Sequence, residues 1–159
     1  MNSIILNTAT RVLVPVFIIV ALMTLWRGHN DPGGGFIGGL LAAICVALYE
    51  KTFGVDEARR WLRLSPMMIA GLGLTAAIAG GLWGAVVNGA FLSGVWPFYA
   101  SVDGSWEGLP VGSILLFDTG VFLVVVGVVS AILFALEEAG IPEDREEEDG
   151  VPQDREEGA

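Results

Sequence analysis

Three ionisable side chains stand beside or inside apolar sequence, where they could take part in ion chemistry: His29, Asp31 and Asp118. An imidazole or carboxylate in such a place can carry a proton or contact a cation, as in the relays of membrane proteins. His29 and Asp31 are two residues apart, but a metal site normally needs three or four ligands and no third candidate is adjacent. We therefore take all three residues as candidates for an ion path and predict neither a metal site nor a cofactor.

Asp118 is the only acidic residue between Val111 and Leu136, in a long apolar segment. At about 1.5 Å per residue it would lie about 10 Å along a helix that starts near Val111. A charged carboxylate facing lipid is costly, so the side chain must face protein, water or a cation, or carry a proton. Two interpretations remain open: Asp118 is a relay group for protons or cations, or it is a buried link to the backbone or a basic side chain of a neighbouring subunit.

His29 and Asp31 belong to the run RGHNDPGGGFIGGL, which extends from Arg27 to Leu40 between two apolar segments. Asn30 or Asp31 can cap the helix that follows, and His29 can form a hydrogen bond or titrate. A glycine-rich run before a helix could also hold a phosphate. The phosphate loop requires GxxxxGK followed by Ser or Thr, and no lysine follows any glycine in this chain, so we exclude a nucleotide site.

Glycines recur at three- or four-residue spacing in this run and again in a later apolar segment. Gly34 with Gly38 and Gly35 with Gly39 form two GxxxG pairs, a spacing that lets a neighbouring helix approach closely. Because GxxxG alone is a weak signal, such glycines can also merely relax a bend. We predict that they form a surface for docking other membrane helices, which consists of Pro32, Gly33, Gly34, Gly35, Phe36, Gly38, Gly39, Gly73, Gly80 and Gly84.

The residue types exclude the usual enzyme classes. The chain has one histidine and one cysteine, and it contains neither HExxH nor CxxC, so the common nucleophilic and metal-dependent catalytic sets cannot form. Cys45 lies in an apolar run, where a small buried hydrophobic residue is expected. The acidic C-terminal segment disfavours nucleic acid as a partner. We predict that the protein is not an enzyme.

Composition places the chain among membrane proteins. Hydrophobic residues make up 53% of the 159 residues, and the mean hydropathy is +0.66. The formal net charge of −10 is concentrated at the C-terminal end, where eleven acidic residues and two arginines follow Leu136. We predict two domains: a membrane domain of residues 1–136 and an acidic, disordered cytoplasmic tail of residues 137–159.

The elements that must position the candidate residues are helices. A helix needs about 20 apolar residues to cross roughly 30 Å of hydrocarbon. Four segments meet this requirement, so we predict an all-α integral membrane protein with transmembrane helices at about residues 4–27, 33–53, 66–88 and 111–136.

Two of the segments that connect the predicted helices have a distinctive composition. The stretch from Gly89 to Pro110 is rich in glycine and aromatic residues, which is typical of an interfacial loop or a half-dipping segment. The amphipathic run from Val55 to Leu64 predicts a short surface helix that keeps Trp61 and Leu64 against the membrane.

The distribution of Lys and Arg predicts the orientation in the membrane. Five basic residues lie on the side that both termini share, namely Arg11, Lys51, Arg59, Arg60 and Arg63. Arg27 alone lies on the opposite side. Because basic residues accumulate in cytoplasmic loops, both termini should be cytoplasmic and the protein should be a multi-pass protein of the plasma membrane.

Two motifs resemble the MnhB/MrpB family of small subunits in the Mrp-type multisubunit sodium/proton antiporters. They are GHNDPGGGFIGGL from Gly28 to Leu40 and LLFDTGVFLVVVG from Leu115 to Gly127, and their order and separation also match that family. The similarity covers about residues 10–136, so it leaves out the acidic tail.

The resemblance implies a four-helix membrane subunit of a large complex that exchanges cytoplasmic sodium for external protons. In that family the large subunits resemble the pumping subunits of respiratory complex I, and the small ones assemble beside them as a candidate lining of the sodium route. The signature loop of the family would hold His29, Asp31, Pro32, Gly33, Gly34, Gly35 and Phe36, and its fourth helix would hold Asp118.

We therefore expect a non-catalytic subunit whose partners are other antiporter subunits, the lipid bilayer, sodium and protons. A competing possibility is a small transporter in which two copies of the chain share paired carboxylates, with Asp118 at the interface. One intramembrane acid and no inverted repeat argue against it, since secondary transporters typically contain paired broken helices. A purely architectural subunit outside the ion path is a third possibility.

Overall fold

A computed structural model describes residues 4–28, 33–102, 105–108 and 111–140, with backbone only at 99–102 and 105–108. Its elements, in chain order, are α1 (Ile4–Arg27), α2 (Gly34–Phe53), α3 (Val55–Leu62), α4 (Pro66–Asn88), β1 (Tyr99–Val102), β2 (Ser105–Gly108) and α5 (Ser113–Ala139). Four helices, α1, α2, α4 and α5, are long and apolar enough to cross a membrane. The four predicted spans are thereby confirmed.

Local sequence explains where these helices begin and end. Ser65 caps α4, because its side chain accepts a hydrogen bond from the backbone N–H of Met68 at 3.3 Å, and Pro66 occupies the first turn. Gly89 ends the same helix in the left-handed conformation, with φ at 72°. Gly33 precedes α2 with φ at 93°, a backbone conformation that favours glycine.

The long helices are arranged in a row in the order α4, α5, α2, α1, each packed on the next. α1 and α2 are antiparallel, since Thr10 near the start of α1 forms a 2.7 Å hydrogen bond with Thr52 near the end of α2. α2 and α5 run parallel, because Gly39 packs on Val125 and the later Val46 packs on Phe134. α2 and α5 therefore form the centre of the membrane domain.

The glycines of α2 pack against helices of the same chain, and docking of other subunits by them stays a prediction. A Cβ added at Gly38 would lie 2.7 Å from the carbonyl oxygen of Ala21 on α1, and one at Gly39 would lie 2.8 Å from Cβ of Val125 on α5. Both contacts are closer than real side chains allow, so these glycines are required for packing within the chain.

The glycines of α4 also pack within the chain, and their docking to other subunits likewise stays a prediction. Gly73 packs on Gly120 of α5 and Gly80 on Phe117, while Gly84 contacts Ser93 in the loop that follows α4. Of the remaining predicted docking residues, Gly33 and Phe36 are exposed, so docking there stays a prediction. Pro32 lies outside the described residues.

The segment between α4 and α5 folds back onto both helices and contains an antiparallel hairpin, β1 and β2, in which Ser101 pairs with Trp106. This hairpin is an addition to the predicted all-α class. Ser113 at the start of α5 anchors the segment, since its N–H donates to the carbonyl of Val95 at 3.1 Å and its Oγ accepts from the N–H of Val95 at 2.9 Å.

The short helix α3 lies across the ends of α2 and α5. Ala58 of α3 is buried with Val46 of α2 and Phe134 of α5. Trp61 stacks on Tyr49, with ring centroids 5.0 Å apart. The predicted short helix is confirmed; contact of Trp61 and Leu64 with lipid stays a prediction. Residues 141–159 of the predicted tail lie outside the described part of the chain.

Candidate functional site

Asp118 lies in the second turn of α5, close to the end of the membrane domain where α1 ends and α2 begins. Because α5 starts at Ser113, Asp118 is about 7.5 Å along the helix axis, closer to the end than the 10 Å we expected. The Oδ2 atom of its carboxylate is buried. The acid is therefore held inside the protein near one end of the bundle.

Two glycines of the signature run lie directly against Asp118. A Cβ added at Gly28 would overlap the Oδ2 atom of Asp118. A Cβ added at Gly35 would overlap the Asp118 carbonyl oxygen and would lie 3.1 Å from its Cα. The carboxylate thus lies against the end of α1, and its backbone lies against the first turn of α2.

The turn between α1 and α2 is equally tight. The N–H of Gly28 donates to the carbonyls of Thr24 and Leu25, both at 3.1 Å. A Cβ added at Gly34 would overlap Cα of Gly28 and would lie 2.7 Å from the carbonyl oxygen of Thr24. Glycine at both positions therefore allows α1 to end, and α2 to begin, within reach of α5.

The first turn of α2 therefore lies at the same end of the bundle as the acid. Gly35 of this turn contacts the backbone of Asp118, and Gly34 contacts Gly28, the residue against which the carboxylate lies.

His29 and Asp31 lie outside the described residues. The described residues on either side of them, Gly28 and Gly33, belong to the Asp118 end of the bundle. Asp118, although about 90 residues later in the sequence, thus lies against the glycine run.

The described residues of the two sequence motifs thus lie together at one end of the bundle. A sequence model for a domain related to the MnhB subunit of a Na⁺/H⁺ antiporter matches residues 5–131. The chain belongs to the MnhB family. The matched range includes the four long helices except Ile4 of α1 and the last residues of α5.

Individual members of the MnhB family cover most of the chain. The B subunits of Na⁺/H⁺ antiporters from Bacillus subtilis (strain 168) and Alkalihalophilus pseudofirmus are each 30% identical to it over 138 residues, which is 86% of this chain and 94% of each relative. A putative antiporter subunit mnhB2 of Staphylococcus haemolyticus is 33% identical over 136 residues, 85% of this chain and 94% of that protein. The predicted resemblance to this type of antiporter subunit is confirmed.

A second acidic residue of this MnhB-family chain is buried at the opposite end of α2. Glu50 is only 4% exposed, and it was not among the candidate residues of the sequence interpretation. A signal was present, since Glu50 continues the stripe of Gly39, Ala43 and Val46 at spacings of four, three and four. All members of that stripe are buried.

Among the described residues, no three His, Cys, Asp or Glu side chains come together as they would around a metal ion held by several protein ligands. The buried polar groups are instead spread over the two ends of the bundle. Asp118 lies at one end of α2, and Glu50 lies at the other.

Proposed function

We propose that this chain is a non-catalytic membrane subunit of a multisubunit Na⁺/H⁺ antiporter and that Asp118 is part of the ion path. Membership of the MnhB family and the four membrane-spanning helices support the first part. The contact of the Asp118 carboxylate with Gly28 carries the second, because it brings the acid of α5 to the most distinctive run of the sequence.

In this proposal Asp118 exchanges a proton for a cation near one membrane surface. After the proton has left, a sodium ion can bind to the carboxylate oxygens. His29 and Asp31 are further candidates for the same path, because they connect Gly28 to Gly33. Sodium and protons are thus the transported ions, and the chain needs no cofactor for this role.

The row of helices supports assembly with other subunits. α4 packs on α5 alone among the long helices, and α1 packs mainly on α2, so both ends of the row present apolar side chains outward. Phe36 is 53% exposed at the end where Asp118 lies. We propose that Phe36 contacts a neighbouring antiporter subunit, which would bring that subunit close to the ion path.

The orientation is part of the proposal. Lys51 and Arg59 lie at the end of the bundle where α2 and α5 end, and Arg27 lies at the other. Since basic residues favour the cytoplasmic side, α3 and both termini are cytoplasmic, in the plasma membrane. Asp118 then lies near the external surface.

Purification from membranes that express the whole antiporter tests the subunit role. A tagged chain should co-purify in mild detergent with the large antiporter subunits, and deletion of its gene should abolish Na⁺/H⁺ exchange in membrane vesicles. A stable homodimer that exchanges ions after reconstitution alone would establish the competing small transporter instead. A complex that keeps full exchange without the chain would also contradict the proposal.

A further inference from the structure

We propose that Glu50 is a second ion-exchanging carboxylate, which binds a proton or Na⁺ at the end of the bundle opposite Asp118. This inference rests on the proposed antiporter function. It assigns to the cytoplasmic end of α2 a role that the signature motifs do not indicate.

Burial is the first observation. Glu50 is 4% exposed and lies on the face of α2 that packs on α5, because Gly39 and Val46 of the same stripe contact that helix. Helix α3 lies over this place, with Ala58 packed between Val46 and Phe134. The side chain of Glu50 therefore points into the protein and away from lipid.

The second observation is that the carboxylate of Glu50 receives no hydrogen bond from any side chain in the described part of the protein. Neighbouring cations are engaged elsewhere: Lys51 is hydrogen-bonded to Glu137, and Arg59 to Glu138 at 2.6 Å. A carboxylate on a residue so little exposed, with no side-chain donor, favours a bound proton or cation.

The charged groups around Glu50 favour a monovalent ligand. Two ion pairs lie at this end of the bundle: Lys51 of α2 pairs with Glu137 of α5, and Arg59 of α3 pairs with Glu138 of α5. Arg11 on α1 is exposed. The two ion pairs cancel, so Glu50 contributes one uncompensated negative charge. One proton or one Na⁺ neutralises it, whereas a divalent cation would leave an excess positive charge in a buried site.

The position of Glu50 also suits ion exchange with water. It precedes the exposed Lys51 in the last turns of α2, which places it near the membrane surface. Gly35, which touches Asp118, lies fifteen residues earlier, a distance of about 22 Å along the helix axis. Two acids at opposite ends of one helix can each exchange ions with the water on their own side of a hydrocarbon layer about 30 Å thick.

Labelling of the assembled antiporter with dicyclohexylcarbodiimide tests this assignment without relying on transport. The reagent is apolar and reacts with protonated carboxyl groups in apolar surroundings. The acid proton moves to a carbodiimide nitrogen, the carboxyl oxygen bonds to the central carbon, and the adduct rearranges to a stable N-acylurea. Peptide mass spectrometry then identifies the labelled residue.

We expect Glu50 to be labelled in native membranes and the label to fall at least about tenfold when Na⁺ replaces choline in the buffer, since bound Na⁺ displaces the proton. Glu57, which is exposed and paired with Arg60 at 2.7 Å, is the matched control and should stay unlabelled. Absence of label at Glu50, or labelling that Na⁺ does not reduce, would overturn the inference.

A transport measurement separates failure of this inference from failure of the proposed function. The Glu50→Gln complex should show a shifted pH profile of exchange, and Glu50→Asp should restore the native profile. A native profile in Glu50→Gln, together with loss of exchange in Asp118→Asn, would remove Glu50 from the path while leaving Asp118 in place. Labelling of the wild-type complex decides the matter if Glu50→Gln fails to assemble.

Discussion

The carboxylate of Asp118 on α5 lies against the backbone of Gly28, at the point where α1 ends. No side chain larger than hydrogen fits at Gly28 without displacing the acid. The position of the Asp118 carboxylate therefore depends on glycine at position 28.

Gly28→Ala should reduce exchange by shifting Asp118. The added methyl group would overlap Oδ2, so the carboxylate must rotate or α1 must move away from α5. We expect a loss of about tenfold in Na⁺/H⁺ exchange by the assembled complex, which corresponds to about 1.4 kcal/mol. Fluorescence assays of pH change in membrane vesicles measure it.

Gly71→Ala is the matched control for this substitution, because nothing lies within 4 Å of a Cβ added there. It also replaces a glycine by alanine in the membrane domain, so it should leave exchange unchanged. Equal exchange activity of the two variants would show that the contact between Gly28 and Asp118 does not affect Na⁺/H⁺ exchange.

Gly120→Ala should weaken the packing of α4 on α5. A Cβ at this position would lie 2.6 Å from the carbonyl oxygen of Gly73 and would also overlap the backbone of Ala77, so the two helices must separate. We expect a loss of about 1–3 kcal/mol in stability, the usual cost of overpacking. Thermal unfolding of the detergent-solubilised complex should show a lower midpoint than Gly71→Ala, and identical midpoints would be inconsistent with this packing.

Thr52→Val should destabilise the contact between α1 and α2. It leaves the Oγ1 atom of Thr10, which is 2% exposed, without its 2.7 Å partner, at a cost of about 0.6–1.5 kcal/mol. The double substitution Thr10→Val with Thr52→Val removes both polar atoms and should recover part of the loss. A double variant that loses the sum of the two single effects would show that the hydroxyl groups do not interact.

Phe134→Ala should destabilise the α3 end of the bundle more than Arg59→Ala. Phe134 is 2% exposed and packs on Val46 and Ala58, so its removal leaves a cavity that costs about 3–5 kcal/mol. Arg59 forms a half-exposed ion pair with Glu138, which contributes about 1 kcal/mol at most. Protease cleavage within α3 measures both effects, and the reverse order would contradict this account of the end of the bundle.

The helices could be predicted from the sequence because membrane spans depend on local composition. Apolar length indicates α1, and Pro66, which suits a first helical turn, indicates the start of α4. The sequence interpretation missed the hairpin between α4 and α5, although a signal was present. Apolar and polar residues alternate over residues 100–102 and again over residues 105–107, and the Asp-Gly dipeptide between them is typical of a hairpin turn.

The sequence also did not show which helices pack against each other. GxxxG spacing shows that a close contact exists, but it does not tell whether the neighbour is another subunit or the same chain. For Gly38 and Gly73 the neighbours are α1 and α5 of this chain. The same limitation hid the contact between Asp118 and Gly28, which are far apart in the sequence.

The most direct test of the central claim is Na⁺/H⁺ exchange by the Asp118→Asn complex. Asparagine keeps the size of the side chain and removes its ability to release a proton, so exchange should fall at least about tenfold while the subunits still co-purify in native proportions. Glu57→Gln, which neutralises an exposed acid outside the site, should exchange ions at the native rate. Full exchange by a correctly assembled Asp118→Asn complex would contradict the account and assign Asp118 a structural role.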